Sequence, residues 1–128
     1  PSFTLDKNNF YIDATGYIMT GSNLKYILGV LNSNVVYFYL KRISSSLSCG
    51  ANRWTKQYVK RIPIPKVTAK NKLTVNNVVD IVDEITKSKQ NNMNVEISNL
   101  ENQLNELVYQ LYELTPEEVE LIKERISQ

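Results

Sequence analysis

The chain has 128 residues, enough for one compact core with a helical appendage, and its lone cysteine, Cys49, excludes an internal disulfide and suits a reducing cytoplasm. It contains no histidine, which excludes histidine metal sites and histidine general bases. The net charge of +2 hides a dipolar chain: residues 1–70 carry ten Lys+Arg against two Asp+Glu, and residues 71–128 carry five against eleven.

In chain order, Phe10-Tyr11-Ile12 and Tyr17-Ile18-Met19-Thr20 read as short strands, punctuated by Gly16 and Gly21. Ser22 or Asn23 can cap a helix that carries Leu24, Ile27, Leu28 and Leu31 on one face. Leu31-Asn32-Ser33 reads as a break, with Ser33 capping a second helix to about Ile43. Lys41 and Arg42 fall in its last turn, where cations suit the helix dipole. A polar loop follows at residues 44–52, then Arg53-Trp54-Thr55-Lys56-Gln57-Tyr58-Val59 as an extended segment. Pro63 and Pro65 enforce an extended exit.

The remainder reads as helix. Thr74 can cap a helix built on Val78, Ile81, Val82 and Ile85, and residues 87–94 form a polar connector. Met93, Ile97, Leu100, Leu104, Leu107, Leu111 and Leu114 then alternate in steps of four and three, the spacing of a coiled-coil seam. Thr115, Pro116 and Glu118 make a capping box with proline at the first helical position, ahead of Val119, Ile122 and Ile126. The pattern predicts an α+β chain in two parts. Residues 1–72 form a small globular part with short strands and two helices; residues 73–128 form a long antiparallel helical arm, packed on itself or on the first part. The chain lacks an initiator methionine and reads as a fragment of something larger.

Between Asp13 and Asp80 no acid occurs, while Lys25, Lys41, Arg42, Arg53, Lys56, Lys60, Arg61, Lys66, Lys70 and Lys72 do. Such a stretch suits a polyanion such as nucleic acid and leaves no room for a carboxylate active site. The chain has no Asn-Pro-Pro-Tyr, no Gly-x-Gly and no acid followed two residues later by lysine. The motifs of an amino-methyltransferase, a nucleotide loop and the common restriction nuclease are therefore missing. Without a histidine base, Cys49 reads as an inert thiol rather than a nucleophile. No metal ligand set and no catalytic residue is assigned. The most apolar run, residues 26–40, is interrupted by Asn32, Ser33 and Asn34, so no membrane span is expected.

Three segments carry a family resemblance: Tyr-Ile-Leu-Gly-Val-Leu-Asn-Ser at 26–33, Tyr-Phe-Tyr-Leu-Lys at 37–41, and Arg-Trp-Thr-Lys-Gln-Tyr-Val-Lys-Arg-Ile-Pro-Ile-Pro at 53–65. Together with Leu-Tyr-Glu-Leu-Thr-Pro-Glu-Glu at 111–118, they resemble the TaqI-like C-terminal specificity domain over most of residues 10–126. That domain is the target-recognition part of type IIG restriction–modification enzymes and related adenine-specific DNA methyltransferases. The resemblance implies a non-catalytic module that reads double-stranded DNA for methyltransferase and nuclease domains N-terminal to it on the same polypeptide. S-adenosylmethionine and magnesium would be bound there, outside this chain, which itself needs no cofactor. Family members carry more recognition sequence upstream than residues 1–9 supply, so the reading surface is expected to be incomplete at its N-terminus.

Reading duplex DNA needs phosphate anchors and a few side chains at base edges. Lys41, Arg42, Lys56, Lys60 and Arg61 can anchor phosphates, and Ser45 and Ser46 can hydrogen-bond phosphates or bases. Arg53 and Gln57 are the base-reading candidates, because arginine pairs bidentately with guanine and glutamine with adenine. Alternation in an extended segment puts Arg53, Thr55, Gln57 and Val59 on one side and Trp54, Lys56, Tyr58 and Lys60 on the other. The sequence does not say which side faces DNA. Packing roles compete throughout: Lys41 and Arg42 also finish a helix, and Trp54, Tyr58, Tyr37, Phe38 and Tyr39 also suit a core. The Ile62-Pro63-Ile64-Pro65 run reads as a structural exit. A second function stays open, a helical docking or self-association module of a restriction–modification complex without autonomous DNA binding.

Overall fold

The computed structural model describes residues 22–43 and 59–127. These residues form five helices: α1 Leu24–Leu31, α2 Asn34–Ile43, α3 Lys72–Gln90, α4 Asn94–Leu111 and α5 Pro116–Ile126. The expected α+β class is thereby corrected, because the described residues are helices and connectors with no strand and no sheet. The strands expected at Phe10-Tyr11-Ile12 and Tyr17-Ile18-Met19-Thr20 lie outside the described residues, as does the polar loop. Of the extended segment expected at residues 53–59, Val59 is described, and it belongs to a helical turn whose carbonyl accepts from the Ile62 amide at 3.2 Å.

Local chemistry sets the helix ends. Between α1 and α2, the Ser33 hydroxyl is buried, donates to the Val30 carbonyl at 2.6 Å and lies 3.5 Å from the Val36 amide. The first amide of α2 has no partner within its own helix, and the Asn105 side chain of α4 accepts it at 2.8 Å. α3 starts ahead of Thr74, after Asn71, and runs through residues 87–90 of the expected connector. It ends in a Schellman turn: Asn92 adopts a left-handed φ of 56°, and the Met93 amide reaches back to the Ser88 carbonyl at 3.0 Å. α4 closes the same way, with Glu113 at φ 55° and the Leu114 amide on the Tyr109 carbonyl at 3.1 Å. The capping box of α5 is present as read: the Thr115 hydroxyl accepts the Glu118 amide at 3.2 Å, and the Glu118 carboxylate accepts the Thr115 amide at 2.8 Å.

α3 and α4 form an antiparallel hairpin; α1 lies against α3, and α2 packs on α5 and α4. One continuous core results, with Val30 and Leu40 from the first two helices beside Val78 of α3 and Val108 of α4. Gly29 makes the α1 crossing close: a Cβ placed there would sit 2.7 Å from Val78 Cγ1 and 3.0 Å from Val82 Cγ2. Across the same crossing Lys25 Nζ meets Asp83 Oδ1 at 2.8 Å, a half-exposed pair of small energetic value. The heptad stripe is only part of what α4 buries. Val108 and Tyr109, outside the stripe, are buried, while Met93 at its start is 47% exposed. A helix with neighbours on two sides needs a broad apolar face rather than a narrow seam.

Tyr109 is 4% exposed and its hydroxyl has no hydrogen-bond partner among the described residues. A buried unmet hydroxyl costs about 1–3 kcal/mol, so Tyr109→Phe is expected to raise unfolding free energy by about 1 kcal/mol. Urea denaturation checks this; a loss of stability would mean that the hydroxyl is paired.

Candidate nucleic-acid interface

The site starts from the end of α2 and the segment that leads from Val59 to α3. Lys41 is half-buried, and its ammonium donates to the Arg125 carbonyl at 3.3 Å, in the last turn of α5 where carbonyls lack helical partners. It therefore ties α2 to α5 as well as carrying charge. Arg42 is exposed, with its guanidinium 5.7 Å from the centre of the Phe38 ring, a cation–π contact one helical turn back. Lys60 and Arg61 are exposed and have no acid within 4 Å among the described residues; the same holds for Lys66 and Lys72. Lys25 is engaged by Asp83, and Lys70 lies 4.0 Å from Glu113 with both side chains in water. Ser45, Ser46, Arg53, Lys56 and Gln57 lie outside the described residues.

A set of tyrosines, not singled out by charge or motif, fixes this region. Ile62 is buried and Ile64 partly so, while Arg61 and Pro63 are exposed, the alternation of an extended chain. Carbonyls two residues apart then point the same way. The Arg61 carbonyl accepts from the Tyr39 hydroxyl of α2 at 3.1 Å. The Pro63 carbonyl accepts from Tyr112, just past α4, at 2.7 Å, and the Pro65 carbonyl from Tyr26 of α1 at 2.7 Å. Further on, the Asn71 side chain donates to the Lys66 carbonyl at 2.9 Å and accepts the Thr68 amide at 2.8 Å, closing the turn into α3. The legible signal was the Pro-x-Pro spacing, which forces an extended chain with outward carbonyls and no amide at either proline.

Burial pushes the Tyr112 hydroxyl up to about 12, with the nearby Tyr26 adding to the shift, and burial also raises Tyr26. Both are held neutral in the fold more strongly than in the unfolded chain, where tyrosine titrates near 10. The Tyr112 contribution is complete below about pH 10 and is lost as pH rises towards about 12, with Tyr26 acting in the same direction. Denaturation midpoints should therefore fall across that alkaline window. Tyr112→Phe should flatten the fall, and an equally steep fall in that variant would exclude this origin.

Among the described residues no three His, Cys, Asp or Glu side chains come together as a metal site, and no helix is long and apolar enough to cross a membrane. Among the described residues, the interface offers exposed cations on a pinned extended segment. Residues 1–64 match the TaqI-like C-terminal specificity domain, half of the chain. The chain belongs to the TaqI-like C-terminal specificity domain family. α1, α2, Lys60 and Arg61 lie within the part matched to that family, and α3, α4 and α5 beyond it. No curated protein and no solved structure matches the chain.

Proposed function

We propose that this chain is the DNA-reading module of a restriction–modification enzyme and directs methyltransferase or nuclease domains of the same polypeptide to a duplex target. The family membership of residues 1–64 carries this reading. The exposed Lys60 and Arg61, within an acid-free stretch, support it. Residues 1–72 serve as the recognition part and residues 73–128 as the spacer and docking arm. Lys41, Arg42, Lys56, Lys60 and Arg61 anchor phosphates, Ser45 and Ser46 add hydrogen bonds, and Arg53 and Gln57 read base edges. The module itself performs no chemistry; S-adenosylmethionine and magnesium belong to the parent enzyme's other domains.

The test is binding of this chain to randomised duplex DNA by fluorescence anisotropy. Salt-sensitive binding, weakened by Arg53→Ala plus Lys56→Ala, is the expected result. No binding at low salt would remove autonomous DNA recognition. It would favour the second reading, a helical docking module, for which the exposed Val95 and Leu121 on α4 and α5 speak.

A further inference from the structure

The tyrosine contacts described above join three separate helical elements to one short segment, and two exposed candidate anchors lie at its start, Lys60 just ahead of it and Arg61 on it. Tyr39, Tyr112 and Tyr26 hold the carbonyls of residues 61, 63 and 65 at 3.1, 2.7 and 2.7 Å. Ile62 enters the core from the same stretch. Hydrophobic burial alone does not fix the position of an extended segment along its own axis, because Ile62 and Ile64 could exchange places by a slip of two residues with the same face inward. Directional hydrogen bonds remove that freedom. Tyr39 acts at the Arg61 carbonyl itself, adjoining the side chain that would meet DNA.

We infer that Tyr39, Tyr112 and Tyr26 are positioning residues for nucleic-acid binding: their hydroxyls lock the segment in one register and so present Lys60 and Arg61 together to neighbouring phosphates. This rests on the DNA-reading function proposed above. Each cation that meets a phosphate releases counterions and steepens the salt dependence of binding. A cation that is mispositioned still attracts DNA at long range but contributes less to that slope. The tyrosines therefore act on the number of phosphate contacts, whereas a purely structural role would alter only the fraction of folded chain.

The experiment compares the 128-residue chain with the Tyr39→Phe, Tyr112→Phe, Tyr26→Phe triple variant and with Lys60→Ala plus Arg61→Ala, binding a randomised DNA duplex over a salt series. Phenylalanine keeps each ring in its packing, and urea denaturation checks that each variant is folded. Should the triple variant unfold, Tyr39→Phe alone, whose bond is solvent-exposed, carries the test. The expected result is a slope of log K against log salt shallower by up to about 1.8 in the triple variant, approaching that of the double alanine variant. Tyr39→Phe alone should be shallower by up to about 0.9. Combining tyrosine and cation changes should then add nothing more. An unchanged slope in a folded tyrosine variant, or fully additive losses, would overturn the inference. Absence of binding by the unaltered chain would instead bring down the DNA-reading function itself, and this inference with it.

Discussion

Raising salt from about 50 to about 200 mM is expected to weaken binding of this chain to duplex DNA about 500-fold. The figure follows if all five proposed anchors, Lys41, Arg42, Lys56, Lys60 and Arg61, each meet a phosphate and contribute about −0.9 to the slope of log affinity against log salt. A slope of about −4.5 over a fourfold change in salt gives that factor. Lys41 already donates to the Arg125 carbonyl, so removing it should change the slope least among the described anchors. Anisotropy titrations at several salt concentrations measure the slope directly. A slope near zero would mean that the cations are structural, and that any DNA contact is made without neutralising phosphates.

The second large effect concerns stability. Gly29→Val is expected to destabilise the chain by about 3 kcal/mol, the upper end of what overpacking a tight core costs. The first added carbon alone would meet Val78 Cγ1 at 2.7 Å, Val82 Cγ2 at 3.0 Å and Leu104 Cδ1 at 3.3 Å. Valine side chains are stiff at χ1, so Val78 and Val82 cannot swing away without moving α3. Gly29→Ala should cost less, about 1 kcal/mol, because alanine regains about 1 kcal/mol of helix propensity against the clash. Pairing it with Val78→Ala removes the nearest methyl groups, so the double variant should be more stable than the sum of the two changes by about 1 kcal/mol. Urea denaturation of the four chains decides it, and simple additivity would show that α1 shifts as a body instead.

Much of the helical reading was present in local residue choice. The break at Asn32 and Ser33, the capping box at Thr115 and Glu118, and the core face of Val78, Ile81 and Val82 all follow from side chains acting within a few residues. What the sequence concealed was set by partners outside the element concerned. Asn71 rather than Thr74 precedes α3, its side chain spent on Lys66 and Thr68 in the preceding turn. Val108 and Tyr109 are buried because α4 has more than one neighbour, which a seven-residue pattern does not encode. Gly29 looks ordinary in sequence, since the need for a missing side chain arises only where α1 meets α3. The strands behind the α+β expectation were placed at residues 10–12 and 17–20, outside the described residues, and the described residues are helices and connectors. At the candidate interface, exposed cations were legible from composition, whereas the hydroxyls that fix Arg61, Pro63 and Pro65 come from residues 39, 112 and 26 and have no local signature.

The segment from Arg61 to Pro65 also bears on how the chain avoids self-recruitment. An extended surface segment with alternating isoleucines is the kind of edge to which another chain adds a strand, the first step of aggregation. Here the prolines at 63 and 65 supply no amide, the Ile62 amide is turned to Val59, and the three alternate carbonyls are already occupied by phenols. A second polypeptide arriving at this edge finds too few unpaired groups to build a ladder. The module can thus keep an extended, cation-bearing segment on its surface at high concentration without offering a template for cross-β growth.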